Sequence, residues 1–137
     1  MRRTALSFAV LLTIACGSAS SRPANVPAPS IVTRAVGPIF FGSGTSAPIT
    51  LEVNVTNHAS VPLRVRDIEI SSLGMAQYTL RPVRRLLNET IPPGGTRTVS
   101  LMTTAVTTVR NPSYEPLTVR TIVTLEAEGK RFREIVQ

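Results

Sequence analysis

Few side chains of this chain could do covalent, acid–base or metal chemistry, because it has one cysteine, Cys16, one histidine, His58, and one aspartate, Asp67. His58 and Asp67 could form a hydrolase relay with one of the serines, although no nucleophile-elbow motif supports it. A zinc or copper site needs three or four clustered histidine, cysteine or carboxylate ligands. The sequence therefore predicts no metal, no other cofactor and no catalytic residue.

Cys16 ends a segment that has the order of an export signal. A tip with two arginines comes first, an apolar run extends over residues 5–15, and Ala15 is the small residue that signal peptidases require. These features predict a signal peptide over residues 1–15, cleaved after Ala15. The apolar run is too short for a spanning helix, which needs about 20 residues. A retained short anchor and a soluble secreted protein cleaved elsewhere remain as alternatives.

The run Leu-Thr-Ile-Ala-Cys at residues 12–16 resembles the lipobox of bacterial lipoprotein precursors. In that family the cysteine thiol is diacylated, the signal peptide is removed, and the new amino group is acylated. The resemblance implies that Cys16 becomes the first mature residue and that its acyl chains hold the protein on a membrane. Gly17 follows Cys16, which in this family usually implies delivery to the outer membrane.

Two regions follow the predicted signal peptide. Residues 16–30 are mostly small, polar and proline residues without an apolar period, which predicts a disordered, flexible linker behind the lipidated cysteine. Such a linker reaches roughly 20 Å as a coil and at most about 43 Å when extended. Residues 31–137 have the size of one compact domain.

Apolar residues of this domain recur with a period of two, which is typical of strands that bury one face. The predicted strands are residues 31–36, 49–55, 63–70, 76–80, 83–91, 99–103, 117–127 and 131–136. The residues Glu128, Gly129 and Lys130 predict a tight hairpin turn with a bulge before the last strand. No ten-residue segment shows a helical stripe.

The apolar pattern changes phase once, in the third predicted strand. Leu63 and Val65 occupy odd positions, as a strand with one buried face requires. Ile68 and Ile70 occupy even positions, so residues 66–67 are predicted to carry a bulge or a change of sheet.

Seven or eight strands separated by turns rich in proline and glycine predict an all-β fold, an immunoglobulin-like antiparallel β-sandwich over residues 31–137. Segments 51–57, 62–65 and 91–96 resemble the immunoglobulin-like domains of late embryogenesis abundant (LEA) type 2 proteins and related bacterial envelope domains. This resemblance covers about residues 48–106. It implies a binding or protective role without chemistry.

The charge of the chain is basic but moderate. Without Arg2 and Arg3 of the predicted signal peptide, the 15 basic residues become 13 against 8 acidic ones, a net charge of +5. The densest basic cluster, Arg81, Arg84 and Arg85, is a candidate patch for anionic lipid headgroups or cell-wall polymers. Its alternative role is a solvated loop or an edge strand that is kept soluble by charge. A low aromatic content without tryptophan argues against a nucleic-acid partner.

Together these features predict a non-catalytic lipoprotein of the bacterial cell envelope. Its sandwich would be a binding or structural module in the periplasm or at the cell surface, through strand addition at a sheet edge or through loops at one end. The predicted partners are the membrane, through acyl chains on Cys16, and a protein or an envelope polymer. Alternatives are an accessory subunit of an envelope assembly or secretion complex, and a hydrolase using His58, Asp67 and a serine.

Overall fold

The computed structural model describes residues 21–73, 77–109 and 118–137, which form eight strands and no helix. The strands are β1 Ser30–Val36, β2 Ser46–Thr56, β3 Leu63–Ser72, β4 Tyr78–Leu80, β5 Val83–Ile91, β6 Thr96–Thr107, β7 Val119–Ala127 and β8 Lys130–Val136. All of them pair antiparallel, so the predicted all-β class is confirmed. No helix in these three ranges is long and apolar enough to cross a membrane.

The strands form two sheets with the orders β1-β2-β6-β4 and β5-β3-β7-β8. In immunoglobulin-like sandwiches strands A, B, E and D form one sheet and C, F and G the other. Here β1, β2, β6 and β4 take the first four positions, and β3, β7 and β8 take the other three. Strand β5 lies beside β3, where variable-type domains add a strand. The sheet orders confirm the predicted sandwich, with β4 preceding β5 along the chain.

The core lies between the two sheets and consists of the residues that alternate inward along each strand. On β2 the side chains of Leu51, Val53 and Val55 are buried, while the residues between them are only partly so. Phe132 of β8 is the largest side chain that is almost fully buried. Such alternation removes apolar surface from water on one face of each sheet and leaves the other face to polar residues.

The predicted irregularity in β3 is confirmed as a bulge at Arg66. The register with β7 passes directly from the pair Val65 and Leu125 to the pair Asp67 and Thr124, so Arg66 has no counterpart there. The register with β5 also shifts between Val65 and Asp67. The bulge lets the residues before and after it face the same core.

The hairpin between β7 and β8 forms where the sequence predicts it, but without a bulge. Ala127 pairs with Lys130, so the loop contains two residues, Glu128 with φ 51° and Gly129 with φ 74°. Positive φ at both positions is the requirement of a type I′ turn, whose twist matches that of the flanking strands. A bulge is therefore not needed to close this hairpin.

The packed body begins before residue 31, which shortens the predicted flexible linker. Val26 is buried in the core cluster, and its backbone N–H donates to the Pro23 carbonyl at 3.0 Å. The Arg22 guanidinium lies 2.6 Å from the Glu134 carboxylate of β8. One isolated apolar residue among prolines has no period, so sequence patterns do not reveal its burial.

Asn57 joins two connections at the end of the sandwich where β2 leads into β3. Its buried side-chain amide donates to the carbonyls of Val61 at 2.9 Å and Ile91 at 3.1 Å, and its side-chain oxygen accepts from the Ala59 N–H. Its backbone exchanges two hydrogen bonds with the turn at residues 94–95. The amide thus supplies partners for buried carbonyls that would otherwise be unpaired.

We predict that Asn57→Ala lowers the free energy of unfolding by about 3 kcal/mol, because it leaves buried carbonyl groups without donors. Asn54→Ala is the matched control, since Asn54 accepts one exposed hydrogen bond from Thr98, and its loss costs about 0.5 kcal/mol. Urea unfolding followed by circular dichroism measures both. Equal losses in the two variants would contradict the role of Asn57.

Candidate functional site

The predicted lipidation residue Cys16 and the predicted cleavage residue Ala15 lie outside the described residues. Their roles therefore remain predictions from the sequence. The other predicted site residues, Arg81, Arg84 and Arg85, all lie within the described part of the chain.

The structure does not bring Arg81, Arg84 and Arg85 together on one surface. Arg84 lies opposite Glu69 on the outer face of its sheet and is 3.2 Å from the Asp67 carboxylate. The next residue, Arg85, points the other way and donates to the Ser100 carbonyl of β6 at 2.6 Å. Arg81 lies in the short connection between β4 and β5. Alternation along β5 separates neighbours that look like a cluster in the sequence.

The residues of the considered hydrolase relay have different partners. His58 Nε2 lies 2.7 Å from the hydroxyl of Ser30, at the end of the sandwich near Asn57. Asp67 is on β3 and pairs with Arg84. The hydrogen bond with the Asp67 carboxylate raises the pKa of the Arg84 guanidinium. Within the described ranges, His58 and Asp67 are therefore not arranged as a relay. The same ranges contain no group of three or more histidine, cysteine or carboxylate side chains placed to hold a metal ion.

The outward side of the β5-β3-β7-β8 sheet, here called the basic face, gathers arginines from all four strands. Cross-strand register places these residues in successive rows. Its arginines are Arg64, Arg66, Arg84, Arg120, Arg131 and Arg133, and its carboxylates are Asp67, Glu69 and Glu126. Six positive against three negative charges leave this face at +3 among the described residues.

Glu126 is the centre of the charge network on the basic face. The Arg66 guanidinium donates to one of its oxygens at 2.6 Å, and Arg131 lies 3.3 Å from the same oxygen. Arg64 approaches the other oxygen at 4.0 Å. The hydrogen bond from Arg66 is the main reason that the pKa of Glu126 is below its ordinary value, although partial burial acts the other way.

The outward side of the other sheet has a different character. Cross-strand pairs place mainly threonine, serine and asparagine there, with one cation, Arg34, and one anion, Glu52. The two are joined by hydrogen bonds of 2.9 and 2.6 Å. The described part of this face therefore carries no net charge, in contrast to the basic face.

An apolar loop occupies the end of the sandwich opposite Asn57. It joins β1 to β2, and Phe40 at its tip is 81% exposed. The neighbouring Phe41 packs against Tyr78 with ring centroids 5.8 Å apart. An aromatic side chain held out on a loop that is itself anchored by a ring contact is a typical feature of protein-binding surfaces.

Comparison with known proteins supports the fold and nothing beyond it. No family model matches the sequence, and no curated protein matches it either. Among solved structures, the chain is similar to the Northeast Structural Genomics Consortium target SoR45, with a TM-score of 0.54, 13% identity and 85% coverage of both chains. It is also similar to the putative ApaA protein from Bordetella pertussis, with a TM-score of 0.51, 16% identity, and coverage of 80% of this chain and 87% of that one.

Sequence reasoning missed the basic face because its arginines come from separate strands. The pairs Arg64 and Arg66 on β3, and Arg131 and Arg133 on β8, do show the spacing of residues that share a strand face. Only the register shows that β7 lies between these strands and that Glu126 connects them. Their common surface depends on pairing between segments that are about sixty residues apart.

The Glu126 network predicts a pH dependence of stability. Because the pKa of Glu126 is lower in the folded chain, its contribution is present above the ordinary value of 4.5 and is lost as the pH falls through the folded value. Glu126→Gln should therefore destabilise the protein near neutral pH and match the wild type in acid. Arg66→Gln should reduce the dependence of the free energy of unfolding on pH over the same range. Urea unfolding between about pH 7 and about pH 3 tests this, and parallel curves would contradict it.

Proposed function

We propose that the protein is a non-catalytic lipoprotein of the bacterial cell envelope, attached to the outer membrane by acyl chains on Cys16. Its sandwich serves as a binding module. The resemblance of residues 12–16 to a lipobox supports the attachment, and the sandwich fold with loops at both ends is suited to binding.

The observation that carries this proposal is the lipobox-like run at residues 12–16, and the position at which the packed body begins sets how near the sandwich would lie to the membrane. Arg22 already contacts β8, and Val26 is in the core. Only residues 17–21 separate Cys16 from Arg22, and six residue steps span at most about 20 Å. An acylated Cys16 would hold the sandwich close to the bilayer surface, instead of at the end of a long linker.

The surface that we propose for protein binding is the loop around Phe40. At many protein interfaces a few aromatic side chains contribute much of the binding energy, and truncating them to alanine weakens binding strongly. Phe41 packs against Tyr78 and holds the base of this loop in place. The loop therefore loses less conformational entropy when a partner binds. The role of an accessory subunit would use the same loop, with a partner in fixed stoichiometry.

Attachment through Cys16 predicts the mass of the mature protein. The processed chain should begin at residue 16 and carry two or three acyl groups, because a single chain gives only marginal membrane binding. Mass spectrometry of the detergent-extracted protein measures this. Cys16→Ser should remain unacylated and leave the membrane fraction, whereas Ser18→Ala keeps the cysteine and should behave as the wild type. A free thiol in the processed wild-type chain would refute the proposal.

The Phe40 loop predicts where crosslinks form. A photoreactive phenylalanine at Phe40 should give discrete protein adducts in living cells, at least about threefold more than the same residue at Met102. Met102 is the control because its side chain is 76% exposed on the face formed by β1, β2 and β6, which carries no net charge among the described residues. Equal adducts at the two positions would contradict a binding role for this loop.

A further inference from the structure

The segment that leads toward Cys16 leaves the sandwich at the edge of the sheet that carries the basic face. Arg22 contacts Glu134 of β8, and the Asn25 side chain donates to the Glu128 carboxylate at 2.9 Å in the β7–β8 hairpin. Strand β8 is the edge strand of the β5-β3-β7-β8 sheet. The acyl anchor of the proposed function would therefore be attached beside this sheet and within about 20 Å of it.

The two outward faces of the sandwich differ in charge. The basic face has a net charge of +3, whereas the face formed by β1, β2 and β6 has none among the described residues. Exposed apolar side chains occur on both faces. Leu86 (75% exposed) and Ile135 (51%) lie on the edge strands of the basic face, and the other face carries Met102 (76%), Val32 (54%) and Val36 (49%). Only the basic face combines such side chains with an excess of arginines. Arginines mixed with exposed apolar side chains are typical of surfaces that lie at a membrane interface.

We propose that the basic face lies on the surface of the bilayer that holds the acyl chains, with its arginines on the phosphates of anionic phospholipids. This inference rests on the proposed membrane attachment and adds the orientation of the sandwich. Leu86 and Ile135 then contact the headgroup region, while the face formed by β1, β2 and β6 is directed away from the membrane.

Because the connection between Cys16 and Arg22 is short, a weak attraction between the basic face and the lipid phosphates is enough to orient the sandwich. Charges on the sandwich act on the membrane only within about 10 Å at ordinary ionic strength, and the connection keeps the sheet near this range. Attachment also makes docking intramolecular, so the effective concentration of lipid phosphate is high. Guanidinium groups suit this partner because they hydrogen-bond phosphate oxygens in pairs.

The orientation can be measured on the acylated full mature protein in vesicles. Since Cys16 is the only cysteine and its thiol is acylated, a new cysteine takes a fluorescent label selectively. Ile135→Cys places the label on the basic face, and Met102→Cys places it on the opposite face. A headgroup-attached nitroxide lipid then reports, by quenching, which label is near the bilayer.

In vesicles with phosphatidylglycerol at low salt, quenching at position 135 should exceed quenching at position 102 by about threefold. The difference should disappear in pure phosphatidylcholine and at about 1 M salt, where screening acts over roughly 3 Å. Arg131→Gln combined with Arg133→Gln should also remove it. The matched control, Arg34→Gln with Arg81→Gln, removes the same charge from other surfaces and should preserve it.

The outcomes separate this proposal from the one on which it rests. Mass spectrometry of the same sample first reports the acyl chains, and a bare thiol at Cys16 would refute the attachment and the orientation together. Equal quenching at the two positions in the acylated protein would overturn the orientation alone. A difference that does not depend on anionic lipid, or that the control variant also loses, would overturn the role of the basic face.

Discussion

The core and the basic face both depend on one change of phase in β3, at Arg66. If the same residues formed a regular strand without the bulge, Ile68 and Ile70 would turn to the opposite face and meet water. The bulge keeps both isoleucines in the core. It also lets the Arg66 side chain reach Glu126 and Asn88 on the outer face. A backbone irregularity that the core requires therefore also shapes the charged surface.

Much of the sandwich could be predicted because one face of each strand is buried. Burial of one face imposes a period of two, and the broken period in β3 identified the bulge without any structure. The hairpin at Glu128 and Gly129 was equally accessible, since its turn residues are specific, although the predicted bulge is absent. Such features depend on residues that are close together in the chain.

The surfaces were harder to predict because they depend on pairing between distant segments. The arginines of the basic face meet across β3, β7 and β8, and the sequence cluster at Arg84 and Arg85 is divided between two faces of β5. The burial of Val26 was invisible for a related reason, since one valine among prolines makes no pattern. Sequence reasoning therefore identified the strands but not the surface on which the arginines of separate strands meet.

The two proposed surfaces are compatible with one arrangement of the protein. If the basic face lies on the bilayer, the strands run parallel to the membrane, since they lie in the plane of that sheet. The eleven residues of β2 then separate the two ends of the sandwich by roughly 35 Å. The segment from Cys16 reaches β8 at Glu134, and the Phe40 loop projects sideways from the end of the sandwich opposite Asn57. Phe40 would therefore meet a partner that is itself close to the membrane surface, which favours a neighbouring envelope protein over a component free in solution.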